Sequence, residues 1–157
     1  MAQTMHILLR KSIEIAGNAL EQGNHPFGAV LAGPDGQLLM TAENTVNTDH
    51  DPTAHAETNL VRKAAQHYSS DFLAQCTLYA STEPCPMCAG AIYWANIGRV
   101  VFGLSQVGLY ELAGGDPKDE LLLSCRDVLS HGGRDIVIIG PILEEEARSV
   151  HLDFWNI

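Results

Sequence analysis

At 157 residues the chain is long enough to bury one substantial core and too short for two, so a single domain over 1–157 is expected. Apolar residues make up 46%, yet no apolar run reaches the roughly 20 residues that a membrane helix needs. Nine Lys and Arg against nineteen Asp and Glu leave a net charge of −10, which weighs against a polyanionic partner such as nucleic acid. The opening residues show no convincing signal-peptide core, and Cys76 and Cys125 stand scattered, so reduced thiols and a cytoplasmic setting are expected.

Within residues 4–22, Leu9, Ile13, Ala16 and Leu20 recur at helical spacing and Gly23 marks a stop. This predicts an amphipathic helix packed on a sheet. Residues 27–32 and 37–42 flank a Gly-Pro-Asp-Gly turn and predict the first strand pair. A polar loop over 45–52 leads to Thr53, a good cap for a helix running to about Tyr68. Residues 76–81 read as a strand, a helix begins near Cys85, and Arg99–Leu104 is another strand, which together imply a parallel crossover. Residues 105–133 predict only a loop and a short helix. Residues 136–140 read as a buried strand, and Leu143, Ala147, Val150 and Phe154 line one face of a final helix. The expected architecture is a mixed five-stranded sheet between helices.

Two stretches carry chemistry. Cys85 and Cys88 stand three apart at the start of a helix, where both sulfurs share one face and the helix N-terminus favours thiolates. Two thiolates call for a soft cation. Zinc fits, but two cysteines fill only half of its tetrahedron. The third ligand expected is His55, with Glu57 two residues on. Three protein ligands and one open position form the pattern of a catalytic zinc. C-x-x-C alone would also suit a redox pair or half of a structural site. The first needs no histidine upstream, and the second needs another ligand pair that the chain lacks.

His-Ala-Glu at 55–57 followed by Pro-Cys-Pro-Met-Cys at 84–88 resembles the H-x-E … P-C-x-x-C signature of the zinc-dependent cytidine and nucleobase deaminase superfamily. The resemblance implies an α/β protein with the three-layer α/β/α cytidine deaminase-like fold. It implies one Zn2+ per chain on His55, Cys85 and Cys88, with Glu57 catalytic, and a homodimer. The chemistry is consistent: two thiolates cancel the charge of zinc, so a carboxylate is needed to take the water proton. The implied reaction is hydrolytic deamination of an aminated heterocycle, with Glu57 moving protons from water to the ring nitrogen and the departing amine.

Asn44 is either a turn residue or, as in related deaminases, an amide that reads the edge of a planar base. Phe27 and Phe154 suit either core or pocket wall, Trp155 suits a pocket cap, and Ala56 between ligand and base is assigned to substrate contact. His25, His50, His67 and His131 lack partners at ligand spacing and are expected on surface or loop. Glu111 and Asp116 receive no role. Asp-Pro-Thr-Ala-His-Ala-Glu with the Tyr93–Trp94 pair looks like bacterial guanine deaminases, and Ile97-Gly98-Arg99-Val100 is similar to tRNA adenosine deaminases. The acidic segment of the first and the basic tail of the second are missing. Phe154–Trp155 is similar to the ending of nucleobase deaminases such as cytosine deaminase. The expected substrate is a free small-molecule base, guanine or a related aminopurine or aminotriazine, with cytosine or a nucleoside as alternative and tRNA behind both.

Overall fold

The computed structural model describes residues 2–155. Its sheet has strand order β2-β1-β3-β4-β5, made of β1 (Gly28–Ala32), β2 (Leu38–Glu43), β3 (Thr77–Thr82), β4 (Arg99–Leu104) and β5 (Val137–Ile139). β1 pairs antiparallel with β2 and β3, while β3, β4 and β5 run parallel, so the sheet is mixed. The β1–β2 hairpin turns at 33–36, where Gly36 takes a left-handed φ of 83° and its N–H donates to the Gly33 carbonyl at 2.9 Å.

Strand alternation assigns the two faces. Leu31, Leu78, Val100 and Phe102 belong to one core, and Val30, Tyr79 and Val101 belong to the other. Helices α1 (Ala2–Glu21) and α8 (Glu144–Ser149) cover the second face, where the Arg10 guanidinium donates twice to the Glu146 carboxylate, at 2.9 and 3.0 Å. Helices α3 (Ala56–His67) and α5 (Pro86–Trp94) cover the first, with α7 (Cys125–Ser130) packed on α5. Burial on both faces explains why β1, the centre of β3 and most of β4 read as unbroken apolar runs. A Cβ on Gly28 would run into the Ser12 carbonyl and the Ala16 backbone nitrogen, so glycine lets α1 approach β1 this closely.

The three-layer α/β/α expectation holds, and three local expectations are corrected. The N-cap residue of α3 is His55, with no side-chain capping bond, while Thr53 spends its N–H and hydroxyl on the Asp51 carboxylate at 2.8 and 2.7 Å. Residues 105–133 hold α6 (Gln106–Ala113), a 3-10 turn (Pro117–Asp119) and α7, more structure than a loop and one helix. The final helix ends at Ser149, so Phe154 does not continue its apolar face. The remaining helices are short: α2 (Val46–Asp49) and α4 (Ser70–Leu73). No helix among the described residues is long and apolar enough to cross a membrane.

Candidate active site

Two helix N-termini meet at one point beside the end of β3. His55 is the N-cap residue of α3 and Glu57 lies in its first turn. Cys85 is the N-cap residue of α5, Pro86 opens the helix with a ring preset for it, and Cys88 follows in the first turn. Both caps have extended backbones, which turns their side chains toward the same space rather than along the helices.

His55 Nδ1 lies 3.6 Å from Cys85 Sγ and 3.5 Å from Cys88 Sγ, and the three ligand atoms lie within 4.8 Å of one another. Tetrahedral zinc, with bonds of about 2.0 Å to nitrogen and 2.3 Å to sulfur, separates N from S by about 3.5 Å. The donor set fits zinc in chemistry and spacing. The electrostatics agree: Cys85 is held down to about 4, chiefly by the Cys88 thiol donating to it and further by His55. Cys88 is pushed up by the same shared proton. His55 is raised, first by its hydrogen bond to Cys85. Glu57 is buried, and desolvation, helped by the charge on Cys85, lifts its carboxyl to about 7.

Above this cluster opens a cavity of about 320 Å³. His55, Glu57 and Cys85 form its floor, and His25, Phe27, Tyr110 and Trp155 form aromatic walls. Asn44, Thr82, Glu83 and Gln106 supply polar groups, and Asp119 stands in the lining from the 3-10 turn. Glu83 braces the far side: its carboxylate accepts from Gln106 N at 3.0 Å and Cys125 N at 2.9 Å, the first residues of α6 and α7.

Residues 2–104 match the family described as the cytidine and deoxycytidylate deaminase zinc-binding region. The chain belongs to this family of zinc deaminases. It is similar to a probable cytosine deaminase of Schizosaccharomyces pombe, 40% identical over 151 residues, covering 94% of this chain and 90% of the relative. It is also similar to the guanine deaminase of Bacillus subtilis, 43% identical over 95 residues, or 60% of each chain. Among solved structures, a guanine deaminase of Nitrosomonas europaea has a TM-score of 0.79 at 21% identity, covering 96% of this chain and 84% of its own, a likeness of fold.

Of the residues singled out in the deaminase sequence, the structure brings His55, Glu57, Cys85, Asn44, Phe27 and Trp155 to one cavity, with Cys88 buried beside it. Ala56 is fully buried in the core and is not in the lining. Phe154 is not in the lining either and packs on the His25 ring at 5.4 Å. Asn44 lines the cavity while its Oδ1 accepts from Val46 N at 3.0 Å. His25, expected on surface or loop, lies in the loop between α1 and β1, where it also lines the cavity and is lowered chiefly by burial. Tyr110 and Asp119 were not anticipated, while Glu111 and Asp116 are exposed and outside the lining. The Tyr93–Trp94 pair, which resembled guanine deaminases, is also outside it. Trp94 is 83% exposed, and the Tyr93 hydroxyl accepts from Gly133 N at 3.0 Å.

Proposed function

We propose that the single domain over 1–157 hydrolyses the exocyclic amine of a free nucleobase, replacing it with a carbonyl oxygen and releasing ammonia. The observation that carries this reading is the lining of the cavity: rings and amides over the metal ligands, with three carboxylates and no Lys or Arg among the described residues. A flat uncharged base suits such walls, whereas a phosphate would find no cation to pair with.

Zinc held by His55, Cys85 and Cys88 supplies the Lewis acidity that makes water a nucleophile near neutral pH. Glu57, buried beside those ligands, takes the water proton and passes protons to the ring nitrogen and the leaving amine. Asn44, its Oδ1 fixed by Val46, offers its Nδ2 donors to a carbonyl or ring nitrogen of the base. Asp119 accepts from N–H groups on the opposite edge. Phe27 and Trp155 hold the base between faces.

Cytosine comes first among the substrates, because likeness to the probable cytosine deaminase runs through 94% of the chain, enough to take in the segment that supplies Tyr110 and Asp119. Guanine comes second, supported by 43% identity over a shorter stretch. Ammonia release screened over cytosine, guanine, adenine and their nucleosides tests the reading. Turnover of a free base that is indifferent to salt is expected. Conversion of a tRNA adenosine to inosine, with activity falling steeply as salt rises, overturns it. A homodimer is part of the proposal, supported by the exposed Trp94 ring, and a monomer mass by light scattering removes it.

A further inference from the structure

Trp155 reaches the cavity from an irregular turn, six residues past the end of α8. An indole on such a segment needs an anchor, since ordering a side chain and its backbone costs about 1–2 kcal/mol per residue. The anchor is behind the wall. His151 is 1% exposed and does not line the cavity, yet three residues that do line it meet on its ring.

Trp155 Nε1 lies 3.0 Å from His151 Nδ1, and Thr82 Oγ1 lies 3.4 Å from His151 Nε2. An indole nitrogen can only donate, so Nδ1 must be the acceptor. The proton of the neutral imidazole then sits on Nε2 and points at the Thr82 hydroxyl oxygen. Imidazole and indole planes are within 10° of parallel at 6.3 Å, and Phe27 meets the imidazole edge-on at 5.3 Å. Burial pushes His151 down to about 4, which keeps the ring neutral and its Nδ1 free to accept.

We propose that His151 is a positioning residue for substrate binding, fastening Trp155 to Thr82 so that the indole stands as a fixed wall of the cavity. The proposal rests on reading that cavity as a nucleobase site. His151 never touches the base. Its effect passes through Trp155, whose place it fixes, and through Thr82, which ends the strand leading into Glu83-Pro84-Cys85.

The test separates anchor from substrate. The chain has two tryptophans, and Trp94 is 83% exposed, so a 15N-labelled sample gives one exposed and one anchored indole N–H resonance. The Trp155 N–H is expected to exchange slowly in the wild type, quickly in H151L, and slowly again in H151N, whose amide oxygen stands near the former Nδ1. With cytosine and guanine as probes, H151L raises KM about tenfold, the worth of one aromatic contact, and leaves kcat within about threefold. H151N restores KM. Should H151L fail to fold, T82V removes the hydroxyl that takes the Nε2 proton and is expected to quicken the Trp155 N–H exchange in the same way. An unchanged Trp155 exchange in H151L overturns the proposal, as does an unchanged exchange in T82V. The indole measurement needs no substrate, so it decides the anchor even if neither base is turned over.

Discussion

The Glu83 carboxylate accepts the backbone N–H of Cys125 at 2.9 Å, across forty-two residues of chain. Its other oxygen holds Gln106 N, so one side chain at the mouth of β3 fixes the starts of two helices. Replacement by Gln leaves one carbonyl oxygen for two donors. Glu83→Gln is expected to lower stability by about 1–3 kcal/mol, the cost of a buried N–H left without its acceptor. Urea unfolding followed by circular dichroism measures it, and a loss below about 0.5 kcal/mol would show that the brace is dispensable.

Glu57→Gln keeps the shape of the side chain and removes the proton carrier. Turnover is expected to fall at least about 10²-fold while zinc stays bound, because the three ligands are untouched. Metal loss in this variant would instead make Glu57 a support of the zinc site.

Metal analysis is expected to give one zinc per chain, since among the described residues His55, Cys85 and Cys88 form the one candidate cluster. Chelation should abolish turnover and lower the melting temperature, because the ion joins the N-termini of α3 and α5. Added zinc should restore both. Cys88→Ser should bind zinc much more weakly, and full occupancy in that variant would point to a different ligand set.

Acid sensitivity follows from His151. Its ordinary value is 6.5 unfolded and about 4 folded, so between these values the unfolded chain binds more protons. The stability that neutral His151 permits is complete above pH 6.5 and is lost as pH falls toward 4, by about 3 kcal/mol in all. His151→Asn should flatten that part of the stability curve. An equal slope in wild type and variant would assign the acid loss to other groups.

The zinc ligands were legible because helix caps and ligand spacing are local properties of the chain, and both halves of the motif lie within a few residues of a helix start. Strands β1 and β4 were legible for a similar reason, as strands buried on both faces read as short apolar runs. What escaped depended on distant partners. His25 has nothing beside it in sequence to mark it, and becomes a wall only when Phe154 and Trp155 fold against it at 5.4 and 6.3 Å. Phe154 fits the period of a helix that stops five residues earlier. In 105–133 a usable signal was present: Ser105 and Ser124 each accept from the N–H three residues on, at 3.0 and 3.1 Å, marking the starts of α6 and α7. Tyr110 comes from α6 and Asp119 from the 3-10 turn between the two helices, and no pattern in the sequence alone sets them in the cavity lining.

The floor of the cavity comes from residues 55–88, inside the stretch that matches the family, whereas Tyr110, Asp119 and Trp155 come from beyond residue 104. The floor and the outer wall of the cavity are therefore written in separate lengths of polypeptide, joined where Glu83 accepts from Gln106 and Cys125 and where Thr82 meets His151. A chimera carrying residues 105–157 of a deaminase with another preference is expected to shift that preference in part, because Asn44 and Phe27 stay with the first length.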